Sequence, residues 1–167
     1  MLEAKGNMLE MDADAICITT NGFVKSNGAS VMGAGIARQI RDLLPGIDKV
    51  LGQKIAREGN NVHPLIIHND MWIVSFPVKP VVETSDGTNF VNHKFFEPGT
   101  TIPGWACKAK PDLIVQSCKQ LVKLADQYGW KKVLLPRPGC GAGELQWKDI
   151  KKIIQPLLDD RFVVCTY

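Results

Sequence analysis

The 167-residue chain is expected to form one α/β domain, a three-layer α/β/α sandwich around a mixed, mostly parallel sheet. Three observations predict this. Short apolar runs rich in β-branched residues recur without polar alternation, as strands covered on both faces require. Stretches with helical apolar spacing lie between them, which gives a strand–helix alternation. The length falls in the one-domain range and suffices to bury a core.

The strands are expected at Ala15–Thr19, at Leu65–Ile67 with Met71–Phe76, at Lys132–Leu135 and at Phe162–Cys165. His68-Asn69-Asp70 suggests a hairpin turn, and both His63 and His68 are expected at surface turns. A first helix is expected over Ile36–Leu44, with Ile36, Ile40, Leu43 and Leu44 on its buried face and Pro45-Gly46 ending it. A second spans Ile47–Glu58. The clearest is Asp112–Tyr128, where an apolar stripe runs between Pro111 and Gly129. The last is Trp147–Leu158, which Pro156 must kink or shorten. Pro80–Gly104 breaks the rhythm: it is rich in Pro, Gly, Thr and Asn and is expected to be a loop insertion in a single domain.

Composition excludes several classes. A net charge of +3, with basic residues in scattered pairs such as Lys131-Lys132 and Lys151-Lys152, makes no stripe of the kind that binds a nucleic-acid backbone. It suits a small anionic ligand better. The cysteines Cys17, Cys107, Cys118, Cys140 and Cys165 form no C-x-x-C pair and no zinc spacing with histidine, so reduced thiols in an intracellular protein are the simplest expectation. Neither the N-terminal sequence nor any apolar run has the pattern of a signal peptide or a membrane span. The expected location is the cytoplasm, away from membranes, with no metal or redox cofactor.

Two glycine-rich stretches carry the chemistry. In the first, a buried strand runs through Thr20-Asn21-Gly22 into Ser30–Arg38, which opens a helix. Glycine lets the backbone approach a ligand closely, and a helix start offers free N–H groups and partial positive charge. The spacing is not the G-x-G-x-x-G fingerprint, since Arg38 stands where a last glycine would close it. The second stretch, Pro136–Trp147, repeats the order of strand, glycine loop and helix. In an open α/β sheet ligands collect beyond the carboxyl ends of the strands. Two such loops in one small domain point to an anion held between two walls of backbone N–H groups.

At these stretches the chain resembles the macrodomains, the ADP-ribose-binding fold, and within them the branch of the DarG antitoxins and the terminal ADP-ribose glycohydrolase. Four motifs in order carry the likeness: Lys5-Gly6-Asn7-Met8-Leu9; Asn21 with Val31–Ala37; Phe76-Pro77-Val78-Lys79; and Pro136–Trp147 with its G-C-G-x-G core. It covers nearly the whole chain apart from Pro80–Gly104.

The resemblance implies roles. Asn7, beside Met8, would accept the adenine amino group, and Asn21 would lie near the distal ribose. Val31, Met32, Gly33, Ala34, Gly35 and Ile36 would wrap the diphosphate and distal ribose. Pro138, Gly139, Cys140, Gly141, Ala142 and Gly143 would close from the other side. Apart from the resemblance, Tyr167 and Phe162, by their place at the terminal strand, are expected as apolar contacts on the adenine side. Lys79 occupies the position of a reactive lysine and would attack C1″ or act as a fixed charge near the diphosphate; as a loop lysine it would simply be solvated. A catalytic Asp of the glycohydrolase matches Gly143 here, and its neighbour Glu144 is the candidate for proton transfer. Cys140 is read as a small loop residue, Trp147 as a core anchor, and His93 as a residue that covers the ligand.

Two functions follow as expectations. The first is hydrolysis of an ADP-ribose linkage, on a modified protein or nucleic acid or on ADP-ribose 1″-phosphate. The second is binding of ADP-ribose or an ADP-ribosylated partner without turnover. A third places the insertion against another protein or a nucleic-acid base.

Overall fold

The computed structural model describes residues 1–167. Six strands form the main sheet: β1 (Leu2–Lys5), β2 (Ala15–Thr20), β3 (His63–His68), β4 (Met71–Pro77), β7 (Val133–Pro136) and β8 (Phe162–Thr166). Their order is β1-β8-β7-β2-β4-β3. All neighbours are parallel except β3, which pairs antiparallel with β4 at one edge. The sheet is therefore mixed and mostly parallel. The β3–β4 turn places Asn69 and Asp70 at φ of 51° and 61°, the left-handed pair that a two-residue hairpin needs.

Helices α1 (Gly35–Leu43) and α2 (Ile47–Glu58) cover one face, and α3 (Pro111–Tyr128) and α4 (Trp147–Ile154) cover the other. Strand geometry explains why the apolar runs lack polar alternation. Along β2, Ala15 and Cys17 enter the core beneath α3 and α4, while Ile16 and Ile18 enter the core beneath α1 and α2. In β7, Val133 and Leu135 face one core and Leu134 the other; β8 divides Phe162 and Val164 from Val163 and Cys165 in the same way. Each central strand thus feeds two cores at once.

On α3, Ile114, Cys118, Leu121 and Ala125 form the buried stripe. Gly129, at φ 69°, ends the helix in the left-handed conformation. Pro156 ends α4 as expected: the helix stops at Ile154 and continues as a single 3₁₀ turn over Gln155–Leu157.

Three expectations need correction. Leu43 is 51% exposed, and Ala37 takes its place beside Ile40 on the buried face of α1. His63 is buried, its Nε2 paired with the Gly59 carbonyl at 2.9 Å and its backbone N–H with Ser75 Oγ at 3.0 Å. Phe162, on β8, is fully buried in the core beneath α3 and α4.

The segment from Pro80 is more than a loop. It contains an antiparallel ribbon of β5 (Val82–Thr84) and β6 (Thr101–Pro103), and packs Ile102, Ala106 and Cys107 against Phe90, Phe96 and Trp105. Glu83 ties it to the start of α3 through Lys110 at 2.5 Å.

Candidate functional site

Parallel strands carry their C-terminal ends to one edge of the sheet, and a cavity of about 720 Å³ opens there. Its walls are the loops after β2 and β7, Val78 and Lys79 after β4, Val91, His93 and Trp105 of the 80–107 segment, and the last residues of the chain. The volume lies within the usual range for small-molecule sites.

The first wall is Val31–Ile36, every residue of which lines the cavity. Asn21, directly after β2, also lines the cavity and holds this loop. Its Nδ2 donates to the Val31 carbonyl at 2.9 Å, and its Oδ1 accepts the Phe23 N–H at 2.9 Å. The loop also rests on α2: Ser30 N–H donates to the Asp48 carbonyl at 2.9 Å, and a Cβ on Gly52 would lie 1.9 Å from the Gly28 oxygen. Gly52 is therefore a packing requirement. Gly35 takes φ 56° and opens α1, whose first-turn N–H groups have no intrahelical acceptor.

The second wall is Gly139–Gly143, again lining throughout. It folds on itself, with Leu145 N–H donating to the Gly139 carbonyl at 2.9 Å and Glu144 N–H to the Gly141 carbonyl at 3.0 Å. A Cβ on Gly143 would stand 2.5 Å from Ala109 Cβ and 2.6 Å from the Gly139 oxygen. Gly143 is thus demanded by packing, which is why an acidic side chain has no room there. Across the cavity, the backbone amides of Gly33, Ala34, Gly35 and Ile36 on one side, and of Gly141 and Ala142 on the other, have no acceptor within the protein. Unpaired donors on residues that line both walls make the site suited to an anion.

Lys79 follows β4. Ser117 Oγ on α3 donates to the Pro77 carbonyl at 2.7 Å, and Asn60 Nδ2 to the Lys79 carbonyl at 3.0 Å, which fixes the strand end. The side chain is buried, lines the cavity and donates from Nζ to the Trp105 carbonyl at 3.1 Å. Burial pulls its pKa below the ordinary lysine value, opposed by the nearby Cys107 and Glu144. Lys79 is not a solvated loop lysine.

Other candidates fall differently. Met8 and Tyr167 line the cavity; Asn7, Pro138 and Glu144 do not. Asn7 Oδ1 is already taken by the Leu9 N–H at 3.0 Å and the Tyr167 hydroxyl at 3.2 Å, so it serves as a local cap. Glu144 turns outward, and its Oε2 accepts the Asn92 N–H at 2.9 Å. Cys140 has its thiol pKa pushed up to about 11 by burial, which suits an inert loop residue rather than a nucleophile. Trp147 packs against the α3–α4 core and also edges the cavity, with its Nε1 on Glu3 and the Arg137 guanidinium over its ring. His93 lines the mouth.

Sequence reasoning missed Thr20, Gln39, Arg137 and Trp105 as lining residues. Thr20 and Arg137 each flank a motif already singled out, so position beside the loop was the available signal. Thr20 is buried and its hydroxyl has no hydrogen-bond partner in the protein. No carboxylate lines the cavity. No group of three His, Cys, Asp or Glu side chains is placed to hold a metal ion, and no helix is long and apolar enough to cross a membrane.

No family model and no curated protein matches the sequence. Solved structures do match. The macrodomain of Mycobacterium tuberculosis DarG superposes with a TM-score of 0.71 at 20% identity, covering 99% of this chain and 97% of that one. The macrodomain of Thermus aquaticus DarG gives 0.68 at 21% identity, with the same coverage. Thermosipho africanus DarTG, solved in complex with ADP-ribose, gives 0.67 at 15% identity over 99% of this chain and 42% of that chain. Strand order, the two glycine walls and these superpositions agree: the chain has the macrodomain fold.

Proposed function

We propose that the cavity binds ADP-ribose and that the protein hydrolyses an ADP-ribosyl linkage, on a modified acceptor or on the 1″-phosphate. The observation that carries the reading is the pair of glycine walls that line the cavity, each with backbone amides that find no acceptor in the protein. A diphosphate accepts such donors from both sides, and the lack of a lining carboxylate spares it repulsion. The ADP-ribose held by Thermosipho africanus DarTG, which shares the fold, supports the choice of ligand.

Turnover rests on Lys79. Its lowered pKa raises the fraction of neutral amine, the form that can attack. In the proposed reaction the Nζ electron pair forms a bond to C1″. The bond from C1″ to the acceptor breaks, and its electron pair leaves with the acceptor, which takes up a proton. Water then displaces the amine, releasing ADP-ribose and restoring Lys79. The same cavity without a lining carboxylate also favours a second reading, a module that binds ADP-ribose and does not turn it over.

Calorimetry with ADP-ribose tests the shared claim: saturable one-to-one binding is expected, and none at high ligand concentration would overturn both readings. Incubation with ADP-ribosylated DNA, ADP-ribosylated protein and ADP-ribose 1″-phosphate separates them. Product release by the wild type and its loss in Lys79→Ala support the hydrolase. Equal release by both would remove Lys79 from the chemistry, and binding with no release from any substrate would leave the binding module.

A further inference from the structure

Glu144 closes the second glycine loop in a left-handed conformation, φ 65°, which side chains other than Gly, Asn and Asp seldom adopt. Its carboxylate does not enter the cavity. It reaches across to a segment 52 residues distant in sequence, where Oε2 accepts the Asn92 N–H at 2.9 Å. From Asn92 a chain of contacts leads back to the lysine. Lys94 N–H donates to the Val91 carbonyl, and Val91 N–H to the Ala106 carbonyl, both at 3.0 Å. The Lys94 ammonium lies 5.3 Å from the Trp105 ring centroid, and the Trp105 carbonyl accepts Lys79 Nζ. Val91, His93 and Trp105 all line the cavity beside Lys79.

We propose that Glu144 is a positioning residue: it latches the 91–95 segment over the Lys79 end of the cavity and acts on bound ligand through His93, Trp105 and Lys79. The role of that end in holding the ribose rests on the ADP-ribose reading above; the latch itself does not. An acceptor in place of a proton donor is what the geometry favours, since the carboxylate is already engaged by a backbone N–H and lies outside the lining. The carboxylate is also a charge near the lysine. The groups around Lys79 are Glu144 from the loop, His93 and Lys94 from the latched segment, and Cys107 backed by the Glu83–Lys110 pair. Of these, Cys107 and then Glu144 favour the charged lysine, against the desolvation that disfavours it.

The test uses the ligand-free protein first. Amide hydrogen exchange is measured at Asn92 and across the sheet in the wild type, Glu144→Gln, Glu144→Ala and Glu144→Gly. Glutamine retains an acceptor oxygen, so near-wild-type protection is expected. Alanine and glycine should speed Asn92 exchange about tenfold, the usual worth of one hydrogen bond to a charged acceptor, with sheet amides unchanged. Glycine relieves the backbone strain yet still loses the latch, which separates the two effects. Unchanged Asn92 protection in Glu144→Ala would overturn the proposal. Nitrogen-detected titration of Lys79 Nζ gives a second readout: Glu144→Gln should move it to lower pH, and no movement would remove the coupling. Calorimetry then asks for weaker ADP-ribose binding in Glu144→Ala and recovery in Glu144→Gln; equal weakening in both would overturn a latch made by the acceptor oxygen. If the wild type binds no ADP-ribose, the ligand reading fails, while exchange and titration still decide the latch.

Discussion

A lysine only 8% exposed has given up most of the water that ordinarily keeps its ammonium charged. One carbonyl, that of Trp105, replaces that hydration in the protein. The cost falls on stability. Because the folded state lowers the Lys79 pKa, the unfolded chain binds more protons, and stability rises with pH up to the ordinary lysine value of 10.5. Below the folded-state pKa the charged amine is buried at full penalty. Lys79→Met should therefore be more stable than wild type at neutral pH, and the advantage should shrink as pH approaches 10.5. Urea denaturation at several pH values measures this. A less stable variant at neutral pH would mean that the bond to Trp105 outweighs desolvation. The sequence showed Lys79 in its motif, but not its burial, since Trp105, whose carbonyl takes the Nζ, lies 26 residues further along the chain.

Among the elements, the second glycine loop separates two uses of glycine. Gly143 has no room for a side chain, whereas a Cβ on Gly141 would meet nothing within 4 Å. Gly143→Ala should cost about 1–3 kcal/mol in overpacking against Ala109 and the Gly139 carbonyl. Gly141→Ala should change stability by less than about 0.5 kcal/mol. Thermal unfolding of both distinguishes a loop shaped by packing from one merely tolerant of glycine; equal losses would refute the distinction. The same comparison explains what was legible. The density of glycine announced the loop, but which glycine was obligatory depended on Ala109, which belongs to another part of the chain. Likewise β5 and β6, three residues each, are too short to show a period, and only their pairing and the small cluster around Ile102 make them strands.

At the scale of the molecule, one sheet serves two cores. Leu121 on α3 and Ile18 on β2 are both fully buried, on opposite faces. Because β2 contributes to each core, the two helical layers should unfold together. Leu121→Ala and Ile18→Ala are each expected to lower stability by about 2–5 kcal/mol while keeping a single denaturant transition. A second transition in either variant would show that the layers unfold separately. This shared sheet also fixes the site, since both glycine walls hang from the ends of adjacent central strands.

The strands β2, β3, β4, β7 and β8, the four helices, the α4 stop at Pro156, the hairpin at Asn69-Asp70 and the two glycine walls were determined by the sequence itself. Each follows from residues close together in the chain: apolar period, proline geometry and glycine's left-handed backbone. The tertiary structure alone decided where side chains point. Asn7 turned to cap its own turn, His63 and Phe162 were buried, Leu43 was left in solvent, and Glu144 crossed to Asn92 instead of entering the cavity. These outcomes are settled by competition for partners between segments far apart in sequence, and no local pattern encodes the result of that competition.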